Sequence, residues 1–169
     1  NSGFRLDTFQ SNMVSVRFGT RFQVTDADDC DLHIGLGIYD ASMAASESAN
    51  HISFRLVDGD GNLDIRTGKA STYQTADSLI AVADATMVRA WFEFTPTSGN
   101  TDSGTLAYTI HSNGSRIKAD RLTLTNSFPD AVIIYPFIQF QNGAASADVC
   151  KVDWIYAAAL RANYVEGTG

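Results

Sequence analysis

Glu47, Glu93 and Glu166 are the only glutamates in these 169 residues, and they limit the chemistry available. Retaining glycoside hydrolysis needs two carboxyl groups about 5 Å apart. A strand face supplies them in a pattern such as E-x-D-x-x-E. None of the three glutamates has a second carboxylate two positions away. Glu93 shares its strand face with Arg89, Trp91 and Thr95, so a solvated Arg–Glu pair is expected there. No G-x-S-x-G nucleophile turn occurs. No catalytic residue is assigned.

Metal and cofactor patterns are equally thin. Asp58-Gly59-Asp60-Gly61-Asn62-Leu63-Asp64 offers oxygens at alternate positions, as calcium loops do. An EF-hand would need Gly and Glu where Leu63 and Lys69 stand. A tight turn accounts for the same letters, with structural or adventitious calcium as the alternative. Asp26-Ala27-Asp28-Asp29-Cys30-Asp31 reads as a solvated connection. Cys30 and Cys150 fit no C-x-x-C pattern; one long-range disulfide or two packed thiols both suit them. Gly35-Leu36-Gly37 lacks the following helix of a dinucleotide site and reads as close strand packing. Asn113-Gly114-Ser115 matches a glycosylation sequon, but a turn explains it better. No cofactor and no metal are expected.

The elements that position these residues follow a two-residue rhythm. In MVSVRFGTRFQV, Val14, Val16, Phe18, Phe22 and Val24 share one face. Leu32, Ile34, Leu36 and Ile38 repeat the device, as do Ile52, Phe54 and Leu56. Val88, Ala90, Phe92 and Phe94 are followed by Leu106, Tyr108 and Ile110. VDGDGNLDI and Asn113-Gly114 signal hairpins. AVIIYPFIQF is apolar on both faces, and Pro136 places it at an edge or a bulge. Segments 40–50 and 75–86 read as loops, the second with room for a short helical turn. From Cys150 the alternation puts Cys150, Val152, Trp154, Tyr156, Ala158 and Leu160 on one face and Lys151 and Asp153 on the other. That predicts a strand through about Ala157, fraying beyond. The expected architecture is an all-β sandwich or barrel of nine or ten strands within a single domain, 1–169. Residues 1–12 and 162–169 are expected as extended terminal arms.

The order of these elements resembles the concanavalin A-like, or laminin-G-like, jelly roll: a β-sandwich of two antiparallel sheets. The likeness runs from about residue 13 to 161: the long VSVRFGTRFQV strand, Ile34-Gly35-Leu36, HISFRL before a hairpin, RAWFEF before another, and a closing VDWI strand beside the first. Within that class the chain looks most like small virion proteins of tailed bacteriophages. The carrying features are the Ile34-Gly35-Leu36 strand, an Ala/Thr/Ser/Asp-rich surface, and Val152-Asp153-Trp154-Ile155 with Arg161. The resemblance implies a non-enzymatic structural role on a virion, decorating a capsid or forming part of a head or tail fibre. Its expected partners are copies of itself, in a homo-oligomer such as a trimer, and a major capsid or other virion protein. The alternative is a lectin-like carbohydrate-binding module. A polysaccharide lyase of this fold would want His, Tyr, Arg and Gln on a concave face, and His33, His51 and His111 do fall on polar strand faces.

Composition sharpens the choice. Net charge is −7, and three lysines and nine arginines are scattered along the chain without a run, which disfavours nucleic acid. No apolar stretch suits a membrane span. The first residues do not resemble a signal peptide, and the start at Asn1 is expected of a processed or trimmed chain; the resemblance implies a location on a virion, or otherwise extracellular. Trp91, Tyr39, Tyr135 and Phe137 fall opposite the apolar set of their strands, where a sandwich meets water. Together they point to an interface with a sugar or a neighbouring subunit.

Overall fold

The computed structural model describes residues 6–7, 13–38, 50–98, 100–130, 132–143 and 147–162. They form eleven strands and, among the described residues, no helix. The strands are β1 (Leu6–Asp7), β2 (Met13–Val24), β3 (Cys30–Gly37), β4 (His51–Leu56), β5 (Asn62–Lys69) and β6 (Thr72–Ala81). After them come β7 (Val88–Thr97), β8 (Asn100–Ser112), β9 (Ser115–Leu124), β10 (Ile133–Asn142) and β11 (Cys150–Arg161). One sheet has the order β1-β10-β3-β4-β5-β6 and the other β11-β2-β7-β8-β9, every pairing antiparallel.

The core lies between the two sheets and is built by the residues the alternation selects. Val16, Phe18, Phe22, Val24, Leu32, Ile34, Leu36, Ile52, Phe54 and Leu56 are fully buried, with Val88, Ala90, Phe94, Leu106 and Ile110. Phe92 stacks on Phe18 at 5.3 Å and leans on Phe54 at 5.8 Å, which ties the sheets together. Val14 departs from its expected face: it is exposed, while Met13 and Ser15 are buried, beside the irregular pairing of Leu160 and Arg161.

Both hairpins form where the turn residues predict. Gly59 and Gly61 take φ of +84° and +62° between β4 and β5, and Asn113 and Gly114 take +48° and +83° between β8 and β9. These are left-handed dihedrals that glycine and asparagine adopt most readily. Pro136 pairs with Leu36 of β3 on one side, and on the other β1 covers β10, among the described residues, at Ile133 and Ile134. The same pairing modifies the expected N-terminal arm, since Leu6 and Asp7 join the sheet. The rest of 1–12, and 163–169, lie outside the described residues, as do 39–49.

Three further expectations are corrected. The stretch 75–86 contains no helical turn; most of it extends β6, and Ser78 at φ +51° beside a register shift in β5 explains its broken pattern. The final strand does not fray at Ala157 but pairs with β2 as far as Arg161. A bulge also lies between Val152 and Trp154, so the extra residue Asp153 reverses the alternation. Ile155, Ala157 and Ala159 pack on the core, and Trp154, Tyr156 and Leu160 turn outward.

Candidate functional site

That reversal builds the outer face of the five-stranded sheet. Tyr156, Gly19, Trp91 and Thr109 stand opposite one another across β11, β2, β7 and β8. Gly19 leaves a gap that Trp91 fills. A Cβ at Gly19 would lie 2.3 Å from Trp91 Cε3, so the indole lies across β2. It thereby reaches Trp154, 5.0 Å away between ring centroids, and Tyr156 at 6.5 Å. The result is an aromatic groove of about 650 Å³ that also takes in Arg17, Glu93, Ala107 and Thr109. Arg17 Nη2 bonds Glu93 Oε1 at 2.9 Å along one side. Glu93 thus finds its arginine on the neighbouring strand rather than at Arg89. Arg21 Nη1 meets Asp153 Oδ2 at 2.6 Å on the other side, holding the bulge residue. Thr20 Oγ1 also donates to the Trp154 carbonyl at 3.3 Å. Each pair is about half exposed and contributes geometry more than stability.

The outer face of the six-stranded sheet is polar. Gln139, His33, Arg55 and Asp64 face one another across β10, β3, β4 and β5, with Tyr135, His51 and Tyr73 two rows further along the same face. Two of the three histidines, Arg55, Tyr135 and Gln139 therefore do meet on one face, the residue types expected of a lyase. His111 lies on the other sheet. His33 and His51 are only 3% and 0% exposed. His33 Nδ1 lies 3.3 Å from Ser53 Oγ, and His51 packs at 6.2 Å from His33 and 6.3 Å from Tyr73. Asp64 is consumed as an anchor: it accepts from Arg55 Nε at 3.0 Å and from the Ser78 amide at 2.7 Å. Burial raises its pKa, while Ser78 and Arg55 oppose the rise. Arg66 lies over Tyr73 at 4.7 Å.

The aromatic residues read from the sequence as one interface are divided. Trp91 lies on one sheet, Tyr135 and Phe137 on the other, and Tyr39 outside the described residues. Sequence reasoning missed Trp154 and Tyr156, which strict alternation sends to the core.

At one end of the sandwich the connections are acidic. Asp26, Asp28 and Asp84 bring carboxylate oxygens within 4.8 Å of one another, the grouping among the described residues with metal-ligand spacing. A hydrogen bond with Asp28, then desolvation and the Asp28 charge, push Asp26 up to about 6. The Asp58–Asp64 turn gathers differently: Asn62 Nδ2 donates to Asp60 Oδ1 at 2.6 Å, and Asp31 Oδ1 accepts from the Asp58 amide at 3.0 Å. Both cysteines are thiols. Burial, followed by the charges of Asp148 and Cys150, pushes Cys30 up to about 12, and burial pushes Cys150 up to about 11.

No known family profile matches the chain, nor does any curated protein. Solved structures do. An endo-β-1,4-glucuronan lyase of the fungus Trichoderma reesei aligns at TM-score 0.53 and 11% identity, over 96% of this chain and 72% of that one. A PL-14 alginate lyase of Aplysia kurodai aligns at 0.50 and 9%, over 90% and 72%. A galectin of Caenorhabditis elegans aligns at 0.47 and 14%, over 94% and 91%. At such identities the likeness concerns backbone alone. The chain has the concanavalin A-like jelly-roll fold, an all-β sandwich of two antiparallel sheets, as the two lyases do.

Proposed function

We propose that this chain is a non-enzymatic structural domain of a tailed-bacteriophage virion, a capsid decoration or a head- or tail-fibre component, with the outer face of its five-stranded sheet as the binding face. The observation that carries the reading is the groove of Trp91, Trp154 and Tyr156. Outer sheet faces are ordinarily polar, and clustered exposed aromatics there favour a partner. Trp154 belongs to the Val152-Asp153-Trp154-Ile155 ending on which the virion resemblance rests, so the same segment supports both parts of the proposal. A homo-oligomer, such as a trimer at a threefold capsid site, suits this role.

The test is the protein composition of purified particles, measured by quantitative mass spectrometry alongside native mass measurement of the isolated chain. A stoichiometric multiple of the major capsid or fibre subunit is expected. A monomer with no affinity for any particle overturns the reading.

One observation favours a second reading, a polysaccharide lyase: Gln139, His33 and Arg55 face one another, with Tyr135 two residues from Phe137 on the same sheet face. A lyase base must reach its substrate's proton, and His33 is 3% exposed, which favours a packing role. Appearance of ultraviolet-absorbing unsaturated product from glucuronan or alginate, abolished by His33→Ala, would establish the enzyme instead.

A further inference from the structure

We propose that the aromatic groove and the cationic pocket beside it form one site for an acidic oligosaccharide, its pyranose ring seated on Trp91 and Trp154 and its carboxylate or sulfate held by Arg89. This rests on the five-stranded sheet's outer face being the binding face, and it names the ligand.

The pocket adjoins the groove at Trp154, which lines both. It has a volume of about 680 Å³ and takes in Arg21, Gln23, Arg89, His111 and Asn113. Arg21, Arg89, His111 and Arg116 stand directly opposite one another across β2, β7, β8 and β9. Like charges in facing positions cost stability, and this row belongs to a chain of net charge −7. Among the described residues a single carboxylate, Asp153, pairs with any member of the row. Arg89 Nη2 instead approaches His111 Nδ1 at 3.3 Å, and its guanidinium lies 5.8 Å from the Trp91 ring. Partial desolvation, then the charges of Arg89 and Arg116, hold His111 below the usual imidazole range. The imidazole is therefore neutral near pH 7 and accepts the Arg89 N–H, which steers that guanidinium along the sheet.

The two halves suit different parts of one ligand. Indole faces accept the C–H side of a pyranose and leave its rim to polar groups, here the Arg17–Glu93 pair and Thr109. An anionic substituent would sit where the guanidiniums lack carboxylates, forming charge-assisted hydrogen bonds. Both volumes fall within the roughly 300–1,000 Å³ of small-ligand sites, whereas a flat protein partner would need no pocket beside the groove.

The experiment is calorimetric and fluorimetric titration of the intact chain with an oligoglucuronate, a sulfated oligosaccharide and a neutral oligoglucoside of equal length. At least one acidic ligand is expected to bind, with altered tryptophan emission, and the neutral one not. Comparing the two acidic arms tells carboxylate from sulfate. Arg89→Gln, an exposed and conservative change, should weaken binding about tenfold or more, and Trp91→Ala likewise, while Lys118→Ala leaves it unchanged. Thermal melts confirm that each variant folds; if Trp91→Ala does not, Arg89→Gln decides. Equal binding of the neutral ligand, no binding of any, or equal losses in Arg89→Gln and Lys118→Ala overturn the proposal. None of these outcomes depends on whether the chain is found in a particle, so the virion reading fails or stands separately.

Discussion

Gly19 decides where Trp91 lies. Because a Cβ there would stand 2.3 Å from the indole, Gly19→Ala is expected to swing Trp91 off β2 and away from Trp154. The ring lies on an outer face and has room to move, so the stability cost should stay near the low end of overpacking, about 1 kcal/mol. A shift in tryptophan emission with a small drop in Tm is the expected readout; an unchanged spectrum would refute the packing. Asp26 makes a prediction about pH. Its folded pKa of about 6 lies above the ordinary 3.8, so its contribution to stability is fully present below pH 3.8 and is lost as pH rises through 6. Asp26→Asn should remove that loss, and the difference in Tm between variant and parent should grow from pH 4 to pH 7. At this scale the sequence was informative about Trp91, whose outward aim follows from its neighbours Val88, Ala90 and Phe92. It was silent about Asp84 joining Asp26 and Asp28, since that meeting depends on how two remote connections fold.

Strands were legible because alternation is local. Which way each strand faces was not, wherever one residue intrudes. Asp153 is such a residue: six apolar side chains at even spacing predicted a single buried face, and the bulge exposes those that follow it. Deleting Asp153 should restore regular pairing, with Val152 opposite Phe22, Trp154 still outward opposite Arg21 and Ile155 still inward opposite Thr20. The groove should persist, and loss of the half-exposed Arg21–Asp153 pair should cost at most about 1 kcal/mol, measured by denaturant unfolding. The edge strand β6 was hidden for a similar reason, its pattern interrupted at Ser78. A side chain also ties it to the other sheet. Gln74 Nε2 donates to the Thr123 carbonyl at 3.1 Å, and its Oε1 accepts from Ser127 Oγ at 2.6 Å. Gln74→Ala should cost about 1 kcal/mol, since the buried Ser127 hydroxyl loses its acceptor, and should speed amide exchange in β6 and β9 ahead of the core.

Across the whole molecule, the two-layer architecture was the most readable property, because one rhythm repeated along many strands leaves few other ways to bury its apolar side. The binding face was less so. It depends on strand order, which brings Trp91 from mid-chain against Trp154 near the end, and on three arginines and a histidine contributed by four different strands. Two thiols report on the integrity of the assembled sandwich. With Cys30 fully buried and pushed up to about 12, its alkylation at pH 7 should proceed only as fast as the chain unfolds, and denaturant should make both cysteines react at once. Rapid labelling of Cys30 in the native state would show that the layers part locally. The β8–β9 hairpin carries a last consequence. Its tip, Gly114, would meet nothing within 4 Å if it bore a side chain, and the ladder beneath it closes from Ser112 and Ser115 downward. A foreign peptide grafted between those serines would therefore project into open solvent with both its ends already clamped, making the domain a ready carrier for epitope display.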